Sequence, residues 1–216
     1  MPPEILVICP TRDRPDDAEA LLDSLLATSE NTVLGLYVDD DQRDLYQRFY
    51  GRERVLVTCG PRLGPAPSYN AVWRSYPQFE IYGVACDDIR FLTPGWDEYV
   101  HIMIEHFRGR IGVVSADHNG HASVGYPYVS RQWIEILGWL MCPAMTHFTC
   151  DTVIELLGDA TELVRAPRSC FAIHDLAYAT AERAEKLAKD ATAFVEWCTE
   201  PRRRAIHSLL DARAEA

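Results

Sequence analysis

The chain has 216 residues, 48% hydrophobic and 25% charged, the ordinary composition of a globular protein forming one large domain or two small ones. Its net charge of −11 argues against a nonspecific nucleic-acid binder, which carries a basic footprint. No apolar run reaches the ~18–20 residues that a membrane span needs.

The first residues, Met-Pro-Pro-Glu, lack the basic region of a signal peptide. Seven scattered cysteines give no disulfide framework, so a reducing, cytoplasmic setting is expected. Residues 177–216 hold seven acids and seven bases, so the whole negative excess lies in residues 1–176. Many of those acids cluster, at Asp16/Asp17, Asp39/Asp40/Asp41 and Asp87/Asp88. Such clusters suit either an acidic cleft that needs a metal or a merely solvated surface.

In chain order, residues 5–9 are a short β-branched run ending at Pro10, which predicts a buried strand. Apolar residues at 18, 21, 22, 25 and 26 predict a helix over 16–28. Strands are expected at 32–38 and 54–59, with a short helix at 44–49 between them. A Gly/Pro loop over 60–67 precedes a helix at 68–76, with Ser68 as its cap. The segment 81–86 reads as a fourth strand, 96–107 as a helix and 111–115 as a fifth strand. A loop or hairpin turning at Asn119-Gly120 follows, then strand and helix over 129–137. A helix at 151–157, a short strand at 162–165 and a long Ala-rich helix over 177–197 complete the pattern. Pro201 is expected to interrupt that helix, which resumes over 205–214.

The alternation of strand and helix predicts an α/β fold with a mixed, mainly parallel sheet flanked by helices. A boundary near residue 176 separates a core, 1–176, from a C-terminal helical extension, 177–216. The extension offers a surface for a homodimer or, more plainly, a helix folded onto its own core.

Residues 81–97 carry the most chemistry. An apolar run ends in Asp87 and Asp88, and a Pro-Gly turn and Trp96 follow. Carboxylates at the end of a buried strand sit where open α/β sheets bind ligands, and two adjacent ones repel unless a cation or donors offset them. A divalent metal carrying a phosphorylated ligand would do so. Pro10-Thr11-Arg12 ends the first strand, where Arg12 and Arg14 can face a diphosphate or a base; the plain alternative is a polar loop that starts a helix. Asp39 or Asp40 ends the second strand, where a carboxylate can accept from a base or ribose. Gly60 and Gly64 let the following loop approach a ligand closely. That loop is no P-loop, and no Gly-x-Gly-x-x-Gly follows any strand. A kinase, an ATPase and a dinucleotide dehydrogenase are thereby disfavoured. Asp151 lies near a helix start, either as a cap or as a reactive carboxylate, and His174 follows a short apolar segment.

The order of these motifs resembles the GT-A glycosyltransferases, specifically the family-2-like enzymes, including short bacterial and bacteriophage versions. The resemblance covers about residues 4–176. It implies that Pro10, Thr11 and Arg12 form the first nucleotide-contacting turn, and that Asp39 or Asp40 reads the base. Gly64 and Asn70 would line the nucleotide pocket, and Asp87 would bind the donor. Asp88 would hold Mn²⁺ or Mg²⁺ with His174, and Asp151 would be the catalytic base. Two departures stand out. Cys86 occupies the first acid position of an Asp-x-Asp motif, and Cys150 precedes Asp151 where many relatives have Glu. The Gln-x-x-Arg-Trp signature of processive synthases is absent.

The implied reaction is a metal-dependent, inverting transfer of a hexose from a nucleotide-sugar, a UDP-sugar by default, to a hydroxyl. The acceptor is left open among a sugar, a protein and a modified DNA base. Rival readings are a nucleotidyltransferase, disfavoured because Pro10–Pro15 contains no Gly, and a non-catalytic nucleotide-sugar-binding or structural module.

Overall fold

A computed structural model describes residues 4–120, 123–147, 149–175 and 183–216, with the side chains of 174, 175 and 183–188 outside that description. Strand β1 (Ile5–Thr11) is an interior strand of a seven-stranded sheet. Helix α1 (Pro15–Thr28) returns the chain to β2 (Thr32–Asp39), and β3 (Val55–Gly60) follows. Helix α2 (Pro65–Ser75) crosses to β4 (Ile81–Val84), which lies on the other side of β1. Next come β5 (Ile89–Phe91), α3 (Trp96–His106), β6 (Val113–Ser115), β7 (Asp117–His118), β8 (Pro127–Ser130) and α4 (Arg131–Leu137). The chain ends in α5 (Cys150–Ala160), β9 (Leu163–Arg165), β10 (Ala172–Asp175), α6 (Arg183–Trp197) and α7 (Glu200–Glu215).

The large sheet has the order β3-β2-β1-β4-β8-β6-β9, and β5-β10-β7 form a small second sheet. Strands β3, β2, β1 and β4 run parallel, whereas β8 pairs antiparallel with both β4 and β6. The expected mixed, mainly parallel α/β sheet is therefore present.

Residue alternation along β1 feeds two cores. Ile5, Val7 and Cys9 join Leu21, Leu22 and Leu25 of α1 and Trp96 of α3 on one face. Leu6 and Ile8 join Tyr69 and Val72 of α2, Trp133 of α4 and Val153 of α5 on the other. A central parallel strand covered by helices on both faces must be apolar at every position, which is why it reads as an unbroken run. Trp96 and Trp133 are core residues, both fully buried. All seven cysteines are free thiols.

Several boundaries differ from the sequence reading, each for a local reason. Helix α2 begins three residues before Ser68, because Pro65 takes a first-turn position where its missing N–H costs nothing. Ser68 is not its cap; its hydroxyl donates back to the Gly64 carbonyl at 2.7 Å. The segment 44–49 forms only a 3₁₀ turn at Gln47–Phe49. The break expected at Pro201 falls just before it, α6 ending at Trp197 and Pro201 taking a first-turn position of α7. Of the long Ala-rich helix expected from 177, residues 177–182 lie outside the described residues. Helices α6 and α7 fold onto the core, where Trp197 and Leu209 are buried with Trp133 and Leu140.

From β1 the chain moves first toward β2 and β3, then reverses to β4. The crevice at the carboxyl ends of β1 and β4 is thus the switch point where open α/β sheets bind ligands.

Candidate functional site

A cleft of about 780 Å³ opens at this edge. The end of β1 supplies Pro10, Thr11 and Arg12, and β2 supplies Tyr37 and Asp39. The loop after β3 supplies Arg62, Leu63 and Gly64, and α2 adds Pro65 and Ser68. Two more distant pieces complete it: Thr146 and His147 before α5, and Lys189 from α6.

Arg12 organises one end. Its guanidinium donates to Asp39 at 2.8 Å and forms a two-bond fork with Asp41, both bonds 2.7 Å. The bonds to Asp41 and then Asp39 push the Arg12 pKa up, and those from Arg12 push the Asp41 carboxyl down. Asp39 is buried and faces the cleft, whereas its neighbour Asp40 is exposed, starts a 3₁₀ turn and does not line the cleft. Gly64 has φ +84°, in the left-handed region, as the loop turns into α2. The Ala66 amide, in the first turn of α2, donates to the Thr146 carbonyl at 3.3 Å and joins two walls of the cleft.

Thr11 connects this cleft to the acid pair. Its hydroxyl donates to Asp87 Oδ2 at 2.8 Å and accepts from the buried Tyr46 hydroxyl at the same distance. Tyr46 in turn accepts from the Arg14 backbone amide at 3.1 Å. The result is a directed chain from Arg14 N–H through Tyr46 and Thr11 to the carboxylate, each bond polarising the next. The Arg14 guanidinium lies 3.3 Å from Asp87 Oδ1 and 3.8 Å from Asp88 Oδ2, bridging the two acids. Burial pushes the Asp87 carboxyl up, while Thr11 and Arg14 oppose that rise. Arg90 donates to the Asp87 carbonyl at 2.9 Å, which fixes the turn that carries both acids.

The Asp88 side chain is 18% exposed against 9% for Asp87, so Asp88 is the acid better placed to meet a ligand. Among the described residues no group of three or more His, Cys, Asp or Glu could cage a metal. A hard divalent ion needs no such cage when one or two carboxylates hold it and substrate phosphates and waters complete its shell. In that second arrangement Asp88, the more exposed acid of the pair, would be the carboxylate that meets the ion. The register of β10 against β5 places the His174 backbone opposite Arg90. The His174 side chain lies outside the described residues.

Asp151 is in the first turn of α5, four residues past the cleft-lining His147. Burial pushes its carboxyl up against the opposing bond from the Thr152 amide at 2.8 Å. Asn70 is buried away from the cleft lining. Its amide oxygen accepts from the Leu140 and Met141 amides at 2.8 and 3.0 Å, and its nitrogen donates to the Met141 carbonyl at 2.7 Å. Asn70 thus clamps the segment that leads to Thr146. Tyr46, Arg62 and Lys189 escaped sequence reasoning. Tyr46 lay inside a segment read only as a short helix, and Lys189 in a helix far from every motif.

The parallel strand ends, the switch-point cleft and the acid pair lie together at the carboxyl edge of a GT-A-like α/β fold. No family model and no curated protein matches the chain. Among solved structures, it is similar to the mannosyltransferase PcManGT from Pyrobaculum calidifontis in complex with GDP-Man and Mn²⁺, at TM-score 0.69 and 14% identity over 100% of this chain and 74% of that one. It is also similar to the glycosyltransferase GlyE of Streptococcus pneumoniae TIGR4, at TM-score 0.50 and 8% identity over 94% of this chain and 64% of that one. At such identities the likeness establishes the shared fold.

Proposed function

We propose that the chain is a metal-dependent, inverting glycosyltransferase that moves a hexose from a nucleotide-sugar to a hydroxyl acceptor. The observation that carries this reading is the continuity at Thr11. One residue lines a cleft of nucleotide size and also holds the acid of the Asp87-Asp88 pair. The GDP-Man and Mn²⁺ bound by the similar mannosyltransferase support the same substrate class.

In this reading Asp39, held by Arg12, accepts from an N–H of the base. Asp87, fixed by Thr11 and Arg14, accepts from the ribose. Asp88 would hold Mn²⁺ or Mg²⁺, with His174 as a second ligand. When bound, the ion supplies positive charge to the diphosphate as it leaves. Asp151 takes the proton from the acceptor hydroxyl. The acceptor oxygen then forms its bond to the anomeric carbon as the carbon–oxygen bond to the diphosphate breaks. The nucleoside diphosphate departs and the configuration inverts.

A thermal-shift and calorimetry panel of UDP-, GDP- and TDP-sugars, with and without Mn²⁺, tests the reading, since a ligand of the native state raises apparent stability. Metal-enhanced binding of one nucleotide-sugar, with slow metal-dependent hydrolysis, is expected. Binding without any turnover favours a non-catalytic module, and absence of all nucleotide binding overturns the assignment.

A further inference from the structure

We propose that Lys189 is a phosphate-binding residue of the donor site and that Asp190 is the positioning residue that brings it there. This rests on the nucleotide-sugar reading and assigns a task to the C-terminal helices within it.

The cleft is otherwise built from strand ends of the first 70 residues and from the 146–147 segment; Lys189 is the contribution of α6. Lys189 makes no hydrogen bond or ion pair with any described residue. Arg62, also on the lining, acts on the Asp41 charge only through space. Arg12, by contrast, is committed to Asp39 and Asp41. The cleft therefore presents two cations with no bonded partner among the described residues. Like charges on one concave surface repel, and an anion between them removes the penalty. A donor diphosphate is such an anion, and an ammonium on a flexible stem binds phosphate as a point charge.

The neighbouring residue shows that α6 is held here with specificity. Asp190 is 1% exposed, yet it is a carboxylate. It accepts from the Thr146 amide at 3.0 Å, the Thr146 hydroxyl at 2.9 Å and the His147 amide at 2.7 Å. A buried carboxylate persists only where donors replace its water. Those donors are the two residues that form one wall of the cleft. The Thr146 carbonyl, in turn, accepts from Ala66 just past Gly64 on another wall. Asp190 therefore fastens α6 to two cleft walls at the residue adjoining Lys189. Apolar packing by Ala193, Phe194 and Trp197 would hold the helix but would not set this register.

The test compares a nucleoside diphosphate with its nucleoside, UDP against uridine and GDP against guanosine, by calorimetry on the full chain at fixed Mn²⁺. Lys189→Met keeps the apolar stem and removes the charge. It should weaken nucleoside diphosphate binding about tenfold or more, leave nucleoside binding unchanged and flatten the salt dependence. Lys189→Arg should recover most of the loss. Asp190→Asn should lower the same diphosphate-to-nucleoside ratio, and the double variant should be no worse than Lys189→Met. Thr146→Val, which deletes the hydroxyl's bond to Asp190, should give a smaller loss of that ratio if Asp190→Asn fails to fold. Wild-type diphosphate affinity in Lys189→Met overturns the phosphate role while leaving the proposed function standing. Additive losses in the double variant overturn the positioning role. A wild-type chain that binds neither nucleotide nor nucleoside overturns both this inference and the function it rests on.

Discussion

The Thr11 hydroxyl lies 2.8 Å from Asp87 Oδ2, and this bond joins the carboxyl ends of β1 and β4 at the point where the sheet reverses its order. Deleting it leaves two buried groups, the Tyr46 hydroxyl and the Asp87 carboxylate, each short of a partner. Thr11→Val should destabilise the fold by about 1–3 kcal/mol in urea titration, the cost of unsatisfied buried polar groups. Thr11→Ser should recover most of it. Equal stability of the Val and Ser variants would show that the hydroxyl is idle.

Asp88 and Asp87 should separate by function. Asp88→Ala should abolish the enhancement of nucleotide-sugar binding by Mn²⁺, read by calorimetry with and without the ion. Asp87→Ala should lower stability as well, because it strips Thr11 and Arg14 of their shared acceptor. Unchanged Mn²⁺ enhancement in Asp88→Ala would move the metal elsewhere.

Asp151 links pH to stability with a definite sign. Burial holds its carboxyl above the ordinary aspartate range. An acid whose folded pKa exceeds its unfolded pKa contributes stability that is full below the unfolded pKa and is lost as pH rises through the folded one. Asp151→Asn should therefore raise the melting temperature at pH 7 relative to wild type, and this advantage should vanish below about pH 4. The same variant should keep donor binding and lose transfer. Full transfer activity in Asp151→Asn would remove it from the proton chemistry.

Gly83 shows a packing constraint far from the cleft. A Cβ there would lie 2.1 Å from the Tyr128 ring, which crosses it on the neighbouring strand β8. Tyr128 is fully buried and wedged against Trp96 and Phe171, so it has no room to yield. Gly83→Ala should cost about 1–3 kcal/mol, the typical penalty of overpacking. A melting temperature equal to wild type would show that the ring can move.

The parallel half of the fold was legible from local pattern. The run at β1 is apolar at consecutive positions because helices cover both its faces, and the 18-21-22-25 spacing of α1 matches the residues it buries. The later half was less legible. Strands β5, β7 and β10 have two to four residues each and gain their definition only by pairing with one another. Helix α2 showed the limit of cap reading, since Ser68 suits a cap by type while Pro65 and a left-handed Gly64 set the actual start.

The same division holds at the site. The sequence by itself determined that acids and a Pro-Thr-Arg turn lie at strand ends, because strand termination is a local property. It placed Asp39, Asp87 and Asp88 at the carboxyl edge of a sheet without saying which of them touch. Only the tertiary structure decided that Thr11 serves both the cleft and Asp87, that Arg14 bridges Asp87 and Asp88, and that Asn70 clamps a loop instead of lining the pocket. Only it brought Lys189 to the cleft, by burying Asp190 against Thr146 and His147. These are contacts between residues 43 to 76 positions apart, and their energy depends on burial and donor geometry, which no local pattern encodes.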